Sequence, residues 1–493
     1  MDKEVQKIVD GIMEARQTPR DDIAKAFTQS GSATSGITAY SLESPAKMLY
    51  PVLTPLRNDI PRIVGGSGIQ ANWKAVTGIN TGNAGFGISE GNRGVVMAQT
   101  TADYFAKFQP CGLDNYATFE SDLAAQGFQD VKALAVLNLL QAAMIEEEKF
   151  DLGGNNSIAL GTVGTVTLAT STTGGSIPLS TAVYVRCVAL TLEAYLNSTV
   201  AGGLPLSANR TLADGTTEFY NRGTSIKSAV NNITTGGGTS TNTVTATVAS
   251  VNGAVAYAWY WAGSDAAAVL GAITTVPTVT ITTAVGTGTQ LCSAGFGTDY
   301  SQNGMAYDGL LAQIMKSGSG AYVKDLAGGF LTPDNEGGIV EIDAALQSFW
   351  DNYRLSPDEI WVSSQEKRNI GNKTMTAATT SSQRFTFASE NGAIVGGTSI
   401  AAYTNKFALN GSQALPVKLH PFLPSGTVLF RTKNLPYPLS GVTNVVQKLL
   451  RRDYYQIEWP LRTRKYEYGV YMDGVLQNYF PPAFGLIKGI GNG

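Results

Sequence analysis

The middle of the chain most constrains the fold, because it carries very few charges. Residues 161–298 contain eight charged residues, whereas Asp, Glu, Lys and Arg make up 15% of the whole 493-residue chain. Threonine alternates with valine, alanine or isoleucine, as in residues 243–248 and 279–282, and Gly, Ser and Asn clusters separate these runs. Such alternation predicts short strands joined by turns. The sequence therefore predicts an all-β sandwich of immunoglobulin-like type at residues 161–298, inserted into a different domain.

The parts outside this segment predict one α+β domain. Apolar residues at helical spacing predict helices at residues 120–151 and 338–353. A short strand is predicted at residues 359–362, and a Ser-Ser-Gln-Glu capping box at residues 363–366 opens a further helix. The Asp-Gly pair at residues 473–474 lies between alternating apolar residues and predicts a hairpin turn.

A long two-stranded ribbon is predicted at residues 69–108. Apolar and polar residues alternate at its start, and a second strand returns through residues 97–108. The connection at residues 78–94 is rich in glycine. An isolated ribbon of two strands is at best marginally stable in water. Because no partner is evident nearby in the sequence, we expect the ribbon to lie on a neighbouring subunit.

The N-terminal part predicts a helix followed by an extended arm. Residues 5–13 have an amphipathic pattern, and four prolines follow between residues 45 and 61. Ser44 and Thr54 each stand directly before a proline, which is typical of the first turn of a helix. We therefore expect short helical turns on an extended arm, because this many prolines preclude one long helix.

The composition excludes several kinds of catalytic and metal site. His420 is the single histidine, so a two-histidine metal site is impossible, and we expect a structural or surface role for it. Cys111, Cys187 and Cys292 are too scattered for a disulfide framework and predict buried reduced thiols. No Gly-Lys pair occurs, which excludes a Walker A loop. We expect no catalytic residue, metal or cofactor, although a pair of carboxylates meeting in space stays open.

The termini and the charge balance bear on location and partners. Asp2 and Glu4 stand where a signal peptide carries only basic residues, and no apolar run is long enough to span a membrane. The formal net charge of −3 provides no basic excess for strong non-specific nucleic-acid binding. The sequence predicts a soluble chain made in a cytoplasm.

Two charge clusters have more than one interpretation. Three acids, Glu146, Glu147 and Glu148, end the first long helix, where they oppose the helix dipole. They predict a solvated helix end or, alternatively, pairing with arginines of another subunit. Basic residues at 451–465 alternate with aromatic ones. We favour packing and ion pairs between subunits for this cluster over nucleic-acid contact.

These parts, in this order, resemble the major capsid protein of tailed double-stranded DNA bacteriophages, which has the Hong Kong 97-type fold. The resemblance rests on the arm, the glycine-tipped ribbon, the long helix, the mixed body, and the C-terminal motifs at 455–460, 468–471 and 481–485. It covers essentially all of the chain outside the insert. The domains that it implies are an N-terminal helix and arm (1–68), an extended loop (69–108), a spine helix with the first part of the peripheral domain (109–160), the immunoglobulin-like insert (161–298), a peripheral and axial domain (299–435), and C-terminal strands (436–493).

The resemblance implies a structural protein rather than an enzyme. Copies would assemble as hexamers and pentamers into the icosahedral head shell of a virion, in the host cytoplasm, around the double-stranded DNA genome. It implies a separate scaffolding protein, a portal, weak non-specific contact with packaged DNA and no membrane, and it leaves a decoration protein open. The residues that we expect at contacts between subunits are Trp73, Ile88, Glu90, Arg93, Phe105, Glu146, Glu147, Glu148, Arg451, Arg452, Arg462 and Arg464.

Some members of that family join subunits covalently through a lysine on the extended loop. The tip at residues 88–94 has no lysine, so we predict no isopeptide crosslinks between subunits. Three alternatives stay open: an encapsulin-like nanocompartment shell of the same fold, a carbohydrate-active enzyme with an immunoglobulin-like module, and a phage tail or adhesin protein.

Overall fold

The structure is a computed structural model. It describes residues 3, 6, 7, 10, 47, 49–79, 85–126, 129–212, 215–237, 239–376, 389, 390, 393, 394, 400–409 and 411–493. The predicted helix at 5–13 lies outside the described residues except for Gln6, Lys7 and Asp10, which are helical, and the predicted turn at Ser44 lies wholly outside them. The chain divides into two compact units, one of Met1–Pro51 with Ala117–Leu134 and one of Val52–Tyr116 with Ala135–Gly493.

Short runs of consecutive strands lie between the helices of the described residues. The α-helices are α1 (Pro55–Asp59), α2 (Phe119–Ala124), α3 (Val131–Gly153), α4 (Leu192–Leu196), α5 (Leu310–Met315), α6 (Val340–Tyr353) and α7 (Ser364–Thr376). The strands before the predicted insert are β1 (Arg62–Val64), β2 (Gln70–Ile79), β3 (Gln99–Lys107) and β4 (Gln109–Thr118).

The remaining strands fall into two sets. Within the predicted insert lie β5 (Thr167–Ser171), β6 (Ala182–Leu190), β7 (Ala208–Thr211), β8 (Thr217–Tyr220), β9 (Asn231–Thr234), β10 (Thr243–Thr247), β11 (Ala256–Ala262), β12 (Val269–Thr274) and β13 (Thr278–Ile281). After it come β14 (Tyr322–Asp325), β15 (Glu359–Val362), β16 (Ser389–Glu390), β17 (Ala393–Ile394), β18 (Ala402–Asn405), β19 (Gln413–Leu419), β20 (Val428–Arg431), β21 (Val446–Glu458), β22 (Lys465–Asn478) and β23 (Phe484–Lys488).

The main core lies on a six-stranded sheet in the order β14-β23-β20-β15-β19-β18. Helix α6 covers it with the residues that helical spacing predicts, since Ile342, Leu346 and Phe349 are all buried. The Phe349 ring meets the Phe430 ring of β20 edge-on, with centroids 6.0 Å apart. The predictions of this helix and of the strand at 359–362 are confirmed.

A second sheet, in the order β1-β21-β22-β4, carries the arm and the long helix. Leu139 and Ala143 of α3 pack against Tyr468 and Val470 of β22. The prediction of one helix over 120–151 is only partly correct, because α2 and α3 are separate helices.

The hairpin predicted at Asp473 and Gly474 is wrong, because β22 runs straight through both residues. The chain reverses instead between β21 and β22, at residues 459–464. Gly474 lies opposite Leu450, where a Cβ atom would come within 2.6 Å of the Leu450 side chain. The glycine therefore serves close strand packing at a bulge rather than a turn.

The regular secondary structure of the predicted insert is mostly β-strand and includes one short helix, α4. Two antiparallel sheets, β13-β10-β5 and β12-β11-β6-β9, enclose a core that includes Val185, Trp259 and Ile281. The immunoglobulin-like type is not confirmed, because β5 pairs with β10, whereas the first two strands of an immunoglobulin sheet pair with each other. Lys488 of β23 donates to the carbonyl oxygens of Val251 and Ala254 and so ties this region to the body.

Candidate subunit-contact surfaces

The predicted ribbon is present as β2 and β3. The two strands pair antiparallel from Gln70 opposite Lys107 to Ile79 opposite Gln99, with one irregularity after Val76. Alternation places side chains on two faces. We call this pair, with the residues that connect it, the ribbon.

One face of the ribbon is half-buried against the chain's own body. It consists of the cross-strand pairs Ala71–Ala106, Trp73–Tyr104 and Ala75–Ala102. The Trp73 ring stacks on Tyr104 at 6.0 Å and meets the Tyr479 ring edge-on at 5.7 Å. The indole Nε1 of Trp73 is buried, and among the described residues no group accepts a hydrogen bond from it.

The other face and the connecting residues expose apolar side chains. Phe105 is 64% exposed, and Phe86 is fully exposed at 101%. Apolar surface in water is unfavourable, and contiguous exposed apolar residues mark interaction sites. Other large apolar side chains that this part of the ribbon exposes include Val76, Ile79, Ile88, Val95, Val96 and Met97.

The tip carries the remaining residues predicted for this surface. Ile88, Glu90 and Arg93 are all exposed beside a turn in which the amide of Asn92 donates to the Ser89 carbonyl oxygen at 3.1 Å. Lys74, which lies along the ribbon rather than at its tip, pairs with Asp103 across the strands at 3.4 Å.

The base of the ribbon is fixed by the second sheet. The amides of Gly65 and Gly66 donate to the Leu450 carbonyl oxygen, at 3.1 and 2.9 Å. Arg451, which was expected at a subunit contact, donates to the Gly68 carbonyl oxygen at 2.8 Å and pairs with Asp473. The point from which the ribbon leaves the body is therefore set by contacts within the chain.

The other basic residues of this cluster lie near the β21–β22 connection. The Arg452 guanidinium stands 4.0 Å from the centre of the Tyr455 ring. Arg462 and Arg464 are exposed on the connection itself, beside the exposed Leu461 and Trp459. This end of the sheet forms a second basic and apolar surface.

The acids at the end of α3 do not form a surface. Glu147, Glu148 and Asp151 are buried, and we call these three residues the acidic hub. Glu146 alone is exposed, and it pairs with Lys149 at 2.6 Å.

Glu147 binds the arm. Its carboxylate lies 2.6 Å from the guanidinium nitrogens of both Arg57 and Arg62, and it accepts from the Tyr454 hydroxyl at 2.7 Å. Burial raises the pKa of Glu147, but Lys448, Arg62 and Tyr454 outweigh burial and hold the pKa at about 2, below the usual 4.5.

Glu148 caps helix α1. Its oxygens accept from the amides of Leu56 and Arg57, at 2.9 and 2.6 Å, so they satisfy the first turn of the helix in place of the predicted Thr54 cap. The Nδ1 atom of His420 accepts from the Phe422 amide, so its Nε2–H donates to Glu148 at 2.7 Å. The single histidine is thus a buried structural residue.

These contacts correct the prediction for Glu147 and Glu148. Both were expected at a solvated helix end or against arginines of another subunit, and both are buried inside their own chain. Their partners Arg57 and Arg62 belong to the arm of the same chain. The sequence analysis missed these two arginines, for which the only signal is their position beside the prolines of the arm.

Two absences hold for the part of the chain that the structure describes. No helix there is long and apolar enough to cross a membrane. No group of three or more His, Cys, Asp or Glu residues there is placed to hold a metal ion.

No family model matches the chain, and no curated protein matches it. Solved structures do match. The chain is similar to one from the capsid of Myoviridae Phage XM1, with 9% identity and a TM-score of 0.40 over 92% of this chain and 96% of that one. It is similar to one from the capsid of a native GTA particle, with 10% identity and a TM-score of 0.40 over the same shares of the two chains. A chain of an encapsulin complex from Synechococcus elongatus PCC 7942 matches 37% of this chain and 57% of its own length, with 15% identity and a TM-score of 0.24. The first two chains come from capsids.

Proposed function

We propose that this chain is the structural subunit of an icosahedral phage head, a major capsid protein that assembles with copies of itself around double-stranded DNA. The observation that carries the proposal is the ribbon. It exposes large apolar side chains, among them Phe86 and Phe105, and it has too few strands to be stable alone. A surface of this kind is stabilised when a second copy covers it.

The two exposed surfaces lie on different parts of the sequence. The ribbon contributes Ile88, Glu90, Arg93 and Phe105, and the β21–β22 end contributes Arg452, Arg462 and Arg464. Trp73, which was also expected at a subunit contact, instead lies on the ribbon face that packs on its own chain. Contacts between unlike surfaces of identical subunits build rings when the rotation closes. We therefore propose that the ribbon of one subunit lies across its neighbour and that rings built this way form pentamers and hexamers.

The acidic hub fixes the position of the base of the ribbon. It holds α1 and β1 against α3 and β21, and the ribbon leaves the body directly after β1. A ribbon that starts from a rigid base reaches its neighbour at a reproducible angle, which regular assembly needs.

We base the assignment of domains and partners on the resemblance to phage major capsid proteins. We propose residues 109–160 and 299–435 as the peripheral and axial parts and the region 161–298 as an outward-facing insert. A separate scaffolding protein, a portal and weak contact with the packaged DNA are proposed partners, and a decoration protein is left open.

Electron microscopy tests the proposal. The chain is expressed alone and together with the scaffolding candidate of its genome, and the purified material is imaged. Closed shells, or rings of five and six subunits, are expected, and a monomer under both conditions contradicts the proposal. Nuclease-protected DNA in the particles distinguishes a virion from the nanocompartment alternative, which would hold protein cargo. A boiled denaturing gel should show no ladder of linked subunits.

A further inference from the structure

A lysine and two acids meet inside the chain where water is excluded. The Nζ atom of Lys448 lies 2.6 Å from Oδ1 of Asp151 and 3.4 Å from Oε1 of Glu147. The side chains of Lys448, Asp151 and Glu147 are only 1%, 2% and 0% exposed. The Tyr307 hydroxyl donates to the same Asp151 oxygen at 2.7 Å, and its ring lies 4.0 Å from the lysine nitrogen. The amine and the carboxyl group are therefore in contact under an aromatic cover.

We propose that Lys448 and Asp151 condense to an isopeptide bond within the chain, with Glu147 as the proton acceptor. The reaction needs no metal, cofactor or oxidant. It does not depend on the proposed capsid function, since all three groups belong to one subunit.

The step balances with one water released. A proton passes from the Lys448 ammonium to the Asp151 carboxylate, which gives a neutral amine and a neutral acid. The amine nitrogen attacks Cγ of Asp151, and the new N–C bond forms as the amine gives a proton to Glu147. Glu147 returns this proton to a hydroxyl of the tetrahedral centre, the C–O bond breaks, and water leaves. The amide remains, and Glu147 is again ionised.

The surroundings favour the neutral amine and neutral acid from which the condensation starts. Burial disfavours both charges of the lysine–aspartate pair, and the amide replaces them with one neutral group. Burial, the largest influence, and the nearby Glu147 charge raise the pKa of Asp151 against the opposing Lys448 and Tyr307, which favours the neutral acid.

Glu147 remains available as the acceptor throughout. Arg57 and Arg62 compensate its charge independently of the lysine. Fixed contact between two reacting groups corresponds to an effective concentration of up to about 10⁵–10⁸ M, which favours condensation.

A second lysine–acid pair has the same short distance but is exposed to solvent, so it separates the effect of burial from the effect of distance. Lys418 lies 2.6 Å from Glu359, the same distance as in the buried pair, but its side chain is 39% exposed. Water reaches the Lys418 ammonium and solvates its charge, whereas the Lys448 ammonium is closed off from water. We therefore expect a bond at Lys448 and none at Lys418, although the two contacts are equally short.

The bond would join the end of α3 to β21 beside the arm. This is the place where the acidic hub already holds the two elements by ion pairs. A covalent link there would keep the base of the ribbon intact under force, and it differs in kind from a crosslink between subunits.

Mass spectrometry of the full-length purified chain tests the proposal. The wild-type chain should be lighter by the mass of one water, relative to Lys448→Arg after correction for the substitution, because a guanidinium cannot form the amide. A digest should contain one peptide pair that joins Asp151 to Lys448, and no pair that joins Glu359 to Lys418. Folded Glu147→Gln protein, checked by circular dichroism, should keep the full mass.

Three results would overturn it. A wild-type mass equal to the unlinked value after prolonged incubation of the folded chain excludes the bond. A link at Lys418 in place of Lys448 contradicts the role of burial. A fully linked Glu147→Gln protein contradicts the role of Glu147.

Discussion

The acidic hub buries charged side chains with their partners, whereas the ribbon exposes apolar side chains to water. In the hub, Glu147 and Glu148 are buried and every carboxylate has partners from the same chain. In the ribbon, Phe86 and Phe105 lie in water, and the Trp73 indole has no acceptor among the described residues. The hub is complete in one subunit, and the ribbon is not. Stability of the subunit and its proposed assembly into a shell therefore reside in separate parts of the molecule.

Truncation of one acid of the run at 146–148 should have the largest effect on the stability of the subunit. Glu147→Ala leaves the half-buried Arg57 and Arg62 without their shared buried carboxylate, and loss of one partner of a buried ion pair costs about 3–5 kcal/mol. Glu146→Ala removes only an exposed pair with Lys149 and should cost at most about 1 kcal/mol. Urea unfolding of the unassembled chains measures both. Equal losses would show that the hub does not hold the arm.

Acid should weaken the hub in a defined range of pH. The pKa of Glu147 is about 2 in the folded chain and 4.5 when unperturbed, so its contribution to stability is complete above pH 4.5. That contribution is lost as the pH falls from 4.5 toward 2. The free energy of unfolding of wild type should therefore fall more steeply over this range than that of Glu147→Gln. Parallel curves for the two proteins would contradict the account.

A substitution in the ribbon should weaken assembly of the subunits and leave the folding of each subunit almost unchanged. Phe105→Ser removes an exposed side chain, so unfolding of the free subunit should change by less than about 0.5 kcal/mol. Its burial on a neighbour is worth about 1.5–3 kcal/mol, so the concentration at which shells form should rise about tenfold to a hundredfold. Light scattering against concentration measures this.

Thr101→Ser is the matched control for Phe105→Ser. Thr101 is exposed on the same face of the same strand, but its side chain is small. It should assemble like wild type. If the Phe105→Ser protein also assembles at the wild-type concentration, the ribbon is not part of the contact between subunits.

One glycine of the body and one of the ribbon differ in the space around them. A Cβ atom at Gly474 would lie 2.6 Å from the Leu450 side chain, whereas nothing lies within 4 Å of one at Gly85. Gly474→Ala should destabilise the subunit by about 1–3 kcal/mol, as overpacking does. Gly85→Ala should leave its stability within about 0.5 kcal/mol. Thermal melting of the two variants checks this, and an equal effect of both would mean that the ribbon tip is already packed.

The sequence predicted the ribbon because its signals are local. Alternation at residues 70–79 and glycines in the connection are sufficient to place two strands. Helix α6 and strand β15 were predictable for the same reason. The Asp-Gly pair at 473–474 failed because the register of β22 against β21, a property of distant residues, overrides a local turn preference.

The hub was not predictable because its partners are far apart in the sequence. Glu147 is held by Arg57, Arg62 and Tyr454, and no pattern near any of these residues points to the others. Three consecutive acids at a helix end favoured a solvated surface, since burial of a carboxylate requires compensation. Only the fold shows that the compensation comes from the arm.

Hydrogen exchange shows in one experiment whether a neighbouring subunit covers the ribbon and leaves the hub unchanged. Backbone amides of residues 70–79, 99–107 and 143–153 are followed in the unassembled chain and in shells. The account predicts that exchange in the two ribbon segments slows strongly on assembly, while exchange in the helix segment of the hub is slow and unchanged in both states. A ribbon that is equally protected before and after assembly would contradict the claim that it is completed by a neighbouring subunit.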